Sequence, residues 1–416
     1  MIRARPNHSL SITVGAIFAL AAFPPIYLGE IRLLVPLVTF VILSFGIVAY
    51  LLLKGETIPF FVYSVLTLFV LSLLFSTGSA LFILEKLDIS KPIILLVQYL
   101  LVIVGYVLAS RMRLHTVAWV IVLYTSIYAI LLITQSLGYV PGANQVSRDL
   151  FGVTFNRAQL FFNQPNGAGA YLVLIVPISF LLRSRRKLLR IVFWVYRVIL
   201  LFGLVVTFSR SALIALIISG IVVYILQRFG RWAYPFALAL LVAICLLTLY
   251  RPAFDYAVQS IVNLGDLKAD YSASERTELM RAGIEIFYDH PIFGVGPGNY
   301  PKILPYYNSS VDPTLGIPHN SLIQFASEQG IFGVLAYIFM LVSALRATCK
   351  RDVGVAFTAW SFWAATLNGW FGWSFIHGLG ELYMLTLGIL LSYARTAHLQ
   401  SHDSSCDARQ GTVARG

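Results

Sequence analysis

Apolar residues run along this chain in blocks of about twenty, separated by short polar punctuation, from Leu10 almost to Arg395. A hydrocarbon layer about 30 Å thick is crossed by about 20 apolar residues in a helix, which satisfies its own backbone hydrogen bonds. Twelve such blocks are read: residues 10–28, 31–53, 57–76, 90–109, 115–137, 166–183, 190–207, 211–227, 232–250, 320–346, 353–371 and 378–395. Glu85, Lys86 and Asp88 break the hydrophobicity between Gly78 and Lys91, so that stretch reads as an interfacial helix. The predicted fold is all-α, a polytopic integral membrane protein of about twelve transmembrane helices. One helical domain occupies residues 1–400, with a large outer loop at 251–318 between helices nine and ten and a polar cytoplasmic tail at 401–416. A second outer segment, from Gly138 to Pro165, is shorter and also polar.

Composition agrees with lipid as the solvent: 58% of the residues are hydrophobic and 12% charged, too apolar for a water-facing surface. The net charge of +12 would fit nucleic acid if it were clustered, but the cations sit in short loops, where they record topology. No nucleic-acid partner is expected. With both ends cytoplasmic, the inner side receives Arg3, Arg5, Lys54, Arg111, Arg113, the Arg183–Arg190 run, Arg228, Arg231, Arg346, Lys350, Arg351 and Arg395. The basic start at Met1 runs into the first apolar block without a small-residue cleavage site, and reads as a retained first helix. Cys245, Cys349 and Cys406 fall in unrelated settings, so no disulfide is expected.

Polar chemistry gathers on the outer side. Arg210 lies at a tight re-entry between two helices, Arg276 and Arg281 in the large loop, and Arg157 in the earlier one. Several guanidiniums at one membrane face suit an anionic ligand such as a lipid-linked diphosphate, since each forks onto phosphate oxygens and stays charged. Head-group anchoring or internal ion pairs would account for any one of them equally. The turn-rich segment His290-Pro-Ile-Phe-Gly-Val-Gly-Pro-Gly-Asn-Tyr300 could offer backbone amides to a phosphate, yet a chain reversal needs the same residues. His319, after Pro318, stands beside the start of a helix whose positive end favours a neutral imidazole able to accept a proton. A lone interfacial histidine is more often structural, and Asn320 and Ser321 equally suit a helix cap. Tyr300, Tyr306 and Tyr307 could stack on sugars or simply anchor the interface. Within the helices Arg197 and Glu381 are the notable ionisable residues, with buried pairing the more ordinary reading. His377 also falls on the outer side. No His and carboxylate spacing reads as a metal site.

Taken in order, Thr207-Phe-Ser-Arg-Ser-Ala212, Arg276 ahead of the 290–300 segment, and Pro318-His-Asn-Ser-Leu322 after a large outer loop resemble the O-antigen ligase and polymerase superfamily. Asn156 and Phe162-Asn-Gln-Pro-Asn166 look like that family's upstream asparagine-rich segment, so the resemblance covers about Gly152 to Gly333. It implies a glycosyltransferase C-like membrane enzyme of the bacterial inner membrane, active at the periplasmic face without metal or other cofactor. The implied donor is an undecaprenyl diphosphate-linked O-antigen and the implied acceptor the lipid A core oligosaccharide, with membrane lipids around both. Arg210, Arg276 and His319 would be catalytic, with Arg157, Arg281, Asn166, Asn320 and Tyr300 binding substrate. The ligase is favoured by the single dominant loop; the polymerase, whose loops often carry Arg with Gly eleven positions later, is the close alternative, and a protein O-oligosaccharyltransferase a third. A transporter of lipid-linked glycan would need polar groups near mid-membrane, which this sequence concentrates at one face instead.

Overall fold

The structure is a computed structural model that describes residues 58–83, 90–111, 114–141, 144–150, 153–160, 162, 165–250, 271–308, 317–371 and 379–395, with short pieces at 27–28, 31–32 and 46. The first two expected helices lie otherwise outside the described residues. At their junction Tyr27–Leu28 (β1) pairs antiparallel with Ile31–Arg32 (β2), so those four positions are extended rather than helical.

The helices follow as α1 (Phe60–Ile83), α2 (Ser90–Arg111), α3 (Leu114–Ser136), α4 (Pro165–Ser179), α5 (Lys187–Val205), α6 (Arg210–Phe229) and α7 (Tyr234–Leu249). Then come α8 (Tyr271–Asp289), α9 (Tyr300–Tyr307), α10 (Ser321–Thr348), α11 (Val353–Phe371) and α12 at residues 380–395. Among the described residues six are long and apolar enough to cross a membrane: α1, α2, α3, α5, α6 and α10. α4 and α7 are apolar but shorter. The sequence anticipated an all-α chain; the structure is nearly so, with a hairpin of Asn144–Leu150 (β3) and Val153–Arg157 (β4) in the first outer segment.

Packing follows from where the small and polar residues fall. α1 is apolar on every side, and its buried positions Val62, Val65, Phe69, Ser72, Leu73, Ser76 and Ala80 recur at helical spacing and meet α10. There the Ser72 hydroxyl donates to Gln329 Oε1 at 2.7 Å and Phe69 packs on Phe325. α4 is enclosed along nearly its whole length, beginning at Pro165 and continuing Asn-Gly-Ala-Gly-Ala, small residues that let neighbouring backbones approach closely. α6 and α4 both pack on α11: Trp360 Nε1 donates to the Leu216 carbonyl at 2.8 Å, and the Ser361 hydroxyl donates to that of Leu174. The large apolar side chains left exposed on α5, α6 and α7, among them Leu188, Trp194, Val198, Ile217, Ile221, Phe236 and Leu240, form the surface that lipid would cover.

The bundle has two unlike ends. One gathers the basic loops: Arg351 Nη2 donates to the Arg228 carbonyl at 2.7 Å, Gln227 Nε2 to that of Lys350 at 2.8 Å, and Arg183 lies over the Phe357 ring. Arg197 belongs here too. Its Nη2 donates to the carbonyls of Leu182 at 2.7 Å and Ser179 at 3.3 Å, and its guanidinium stacks on Phe180 and Trp194. It therefore closes the carbonyl end of α4, the buried-pairing role. Glu381 is likewise paired, accepting from Gln98 Nε2 at 3.2 Å.

Candidate active site

The opposite, polar end is assembled from three reversals, each strained next to a candidate residue. Among the described residues, Leu160, Phe208 and His319 have positive φ (44°, 50° and 51°) without being glycine. Such conformations cost about 1–3 kcal/mol each and persist where surrounding contacts impose them, commonly at functional sites.

The first reversal follows the hairpin. β3 pairs β4 with Leu150 opposite Val153 and Asn144 opposite Arg157, and an irregularity separates Asn144 from Ser147. The hairpin is tied to the end of α3, where Ser136 donates to the Asn156 carbonyl at 2.7 Å and Gln135 Oε1 accepts from the amides of Gln159 and Leu160. Arg157 then spans three elements: Nη2 donates to Asn166 Oδ1 at 2.8 Å on α4, and Nε to the Thr207 carbonyl at 3.0 Å before α6. Asn166 is buried, so this guanidinium and amide hold the starts of α4 and α6 together.

The second reversal presents Arg210. α5 ends as Phe208 N–H bonds to Val205 O at 2.9 Å, the Thr207 hydroxyl folds back on the Leu204 carbonyl, and α6 begins at once with exposed Arg210 in its first position. Positive φ at Phe208 permits so short a turn. The re-entry read from the sequence is thus real, with Arg210 on its outer face.

The third reversal carries His319. Pro318 lies before the helix, and Asn320 is the cap, its Oδ1 accepting from Leu322 N at 2.9 Å and Ile323 N at 3.1 Å. Asn320 Nδ2 donates to the Trp370 carbonyl at 3.0 Å and the Ser321 hydroxyl to that of Gly369 at 3.2 Å, so the end of α11 braces the start of α10. His319 is buried immediately before that cap. Since Trp360 meets Leu216, and Gly369 and Trp370 lie some two and a half turns further along α11, the same helix end stands level with Arg210 at the start of α6.

Arg276 comes from above. Gly283 of α8 lies against Pro318 and Ile323, where a Cβ would stand 3.4 Å and 2.6 Å from their side chains. Arg276, seven residues earlier, shares that face of α8 two turns outward, over the His319 segment. Arg281 pairs with Glu278 at 3.1 Å, and Glu278 also accepts from Asn308 Nδ2. Tyr300 is fully enclosed with its hydroxyl donating to the Leu279 carbonyl, which places it in the core between α8 and α9 rather than at a sugar-facing surface. Burial holds its phenol well above the usual range. Tyr307, donating to Asp289 Oδ2 at 2.8 Å, is pushed up to about 12 by desolvation and then by that carboxylate.

The glycine-rich segment has an internal partner. Val295 and Gly296 N–H bond to the Ser327 and Glu328 carbonyls at 3.0 Å and 2.9 Å, and Ile331 N–H to the Pro291 carbonyl at 2.8 Å. α10 kinks here at Gly330 (φ 64°), where a Cβ would meet Ile292 O at 2.3 Å. The backbone amides of Gly298 and Tyr300 face the carboxylate of buried Glu328, with Lys91 nearby. The nest read from the glycines thus faces an anion of the chain itself. No group of three or more His, Cys, Asp or Glu side chains is found among the described residues, and His377 lies outside them.

These features define a multi-pass helical membrane protein with arginines, a histidine and helix starts collected at one end. Residues 195–338, which hold Arg210, Arg276 and His319, match the family model described as O-antigen ligase, and the match supports membership of the O-antigen ligase superfamily. No curated protein and no solved structure matches the chain.

Proposed function

We propose that this protein is an O-antigen ligase, transferring O-antigen polysaccharide from undecaprenyl diphosphate to the lipid A core at the periplasmic face of the bacterial inner membrane. What supports this reading is that the family-matched segment carries Arg210 and His319 at two strained reversals and Arg276 on the face of α8 whose Gly283 packs against Pro318 and Ile323. Positive-inside bias puts the opposite, Arg-rich end in the cytoplasm.

In the reaction the arginines hold the diphosphate and offset the charge that grows on it as the bond from the anomeric carbon to the phosphate oxygen breaks. His319 takes the proton of an acceptor sugar hydroxyl while that oxygen bonds the anomeric carbon from the opposite face, inverting it. Undecaprenyl diphosphate leaves, and the imidazolium returns its proton to solvent. Arg157 and Asn166 fix the turn that presents Arg210, and Asn320 fixes the start of α10 beside His319. Arg281, held by Glu278, lies five residues from Arg276 on α8, and Tyr300 supports the helix that carries both.

Purified protein should transfer glycan from an undecaprenyl diphosphate donor to lipid A core in the presence of a chelator. Lengthening of the donor lipid alone would make it a polymerase, transfer to protein serine an O-oligosaccharyltransferase, and no covalent product with any acceptor would leave a transporter.

A further inference from the structure

Asn368 is an asparagine inside an apolar helix, fully buried, and neither its Oδ1 nor its Nδ2 has a hydrogen-bond partner. Its neighbours make this costly to no structural purpose: Gly369 and Trp370 use their carbonyls to brace α10, and Thr366 bonds Tyr383. A buried amide that its own chain leaves unpaired calls for an explanation, and a polar ligand would supply one.

Its direction follows from the helix. Ser361 and Asn368 are seven residues apart, so they share a stripe of α11, and Ser361 bonds the Leu174 carbonyl of α4. Asn368 therefore faces the same side, about 10 Å nearer the polar end. On α4, which runs the other way, two turns before Leu174 is Gly167; on α6, two turns before Leu216 is Ser209. The two helix starts meet just there, since a Cβ on Gly169, two residues further along α4, would touch the Ser209 side chain at 2.8 Å, while one on Gly167 would touch the Phe162 ring at 2.8 Å. The carboxamide is thus aimed at the joined starts of α4 and α6, beside Asn166 and the turn that presents Arg210.

We propose that Asn368 is a sugar-recognising residue of this site, its carboxamide exchanging hydrogen bonds with hydroxyl groups of the first saccharide on the lipid-linked donor. The proposal rests on the transferase reading and adds a residue outside the family-matched segment. The chemistry favours sugar over phosphate. A diphosphate offers only acceptors and would leave Oδ1 unmet, whereas a hydroxyl both donates and accepts and satisfies both atoms. The arginines already supply cations for phosphate. For the ring to reach this carboxamide the starts of α4 and α6 must part, which breaks the Arg157 bridge between Asn166 and the Thr207 carbonyl.

The test compares binding of two probes to the full-length protein in nanodiscs: bare undecaprenyl diphosphate, and the same lipid carrying one N-acetylhexosamine. Asn368→Leu should weaken binding of the sugar-bearing lipid about tenfold or more and leave the bare lipid unchanged. Its unfolding midpoint should not fall, because the change also removes an unpaired buried amide; Asn368→Ala serves if leucine does not fold. Equal loss for both lipids would place Asn368 on the diphosphate and overturn the proposal, as would no loss for either. Wild-type protein that binds neither lipid would instead sink the transferase reading itself.

Discussion

Gly283 offers a way to move Arg276 relative to His319 while touching neither. An added methyl would stand 2.6 Å from Ile323 Cγ2 and 3.4 Å from Pro318 Cβ. Carbon atoms at rest lie about 3.5–4.0 Å apart, so α8 must back away from the start of α10 by about 1 Å. Overpacking of this kind costs about 1–3 kcal/mol. Gly283 is mid-helix, so alanine returns about 0.8–1 kcal/mol of helix propensity, and net stability should fall by at most about 2 kcal/mol. Activity should suffer more, because a misplacement near 1 Å in a catalytic constellation costs about a hundredfold. We therefore expect Gly283→Ala to fold, to lose a little thermal stability, and to drop kcat/KM for glycan transfer by about a hundredfold. Truncating Ile323 to Ala in the same chain makes room for the methyl and should recover much of the rate. A folded Gly283→Ala protein with wild-type kcat/KM would refute the packing argument that sets Arg276 over His319.

Other perturbations separate chemistry from support. His319→Ala should lower kcat by about 10²–10⁴-fold with the fold intact, and Arg210→Lys should rescue poorly compared with arginine, since a point cation lacks the fork; full transfer by either variant would remove that residue from the mechanism. Arg197→Ala should cost roughly 1.5–3 kcal/mol, the worth of charge-assisted bonds to the α4 carbonyls, while transfer per folded molecule stays unchanged. Tyr307 titrates higher folded than unfolded, so its contribution is complete below about pH 10 and is lost as pH rises toward about 12. Tyr307→Phe should flatten the fall in stability over that window, and an unchanged slope would rule the Asp289 contact out as its source.

Helix positions were legible because the bilayer sets how long an apolar run must be: the expected spans 90–109, 115–137 and 353–371 differ from α2, α3 and α11 by at most two residues at either end. α1 instead runs seven residues past its expected end, since Thr77, Gly78 and Ser79 lower the hydropathy without stopping a helix whose serines bond α10 and the glycine loop. The hairpin was missed in a segment read only as polar, although Gln145 to Arg157 carries Gly152 at its centre and β-formers on both sides. Asn368 was not legible because one amide between Leu367 and Gly369 lowers the mean hydropathy of an apolar block only a little, and its isolation shows only once α4 and α6 are packed against α11.

The glycine-rich segment shows why a motif must be located before it is assigned. Gly294 and Gly330 each sit where a side chain would collide with the other strand of backbone, so the 290–300 segment and the α10 kink can form only together. Glu328 then sits before the amides of Gly298 and Tyr300, with Lys91 to balance its charge. A second anion arriving at those amides would meet that carboxylate in a buried setting, where like charges repel strongly. In the proposed reaction the segment therefore acts from a distance, by locking α8 and its Arg276 to α10, whose cap follows His319. Glu328→Ala would leave Gln324 and the loop amides without their carboxylate and should destabilise the fold by about 1–3 kcal/mol, a loss read in thermal unfolding. If instead Glu328→Ala were as stable as wild type and bound phosphate more tightly, the nest would be a ligand site after all.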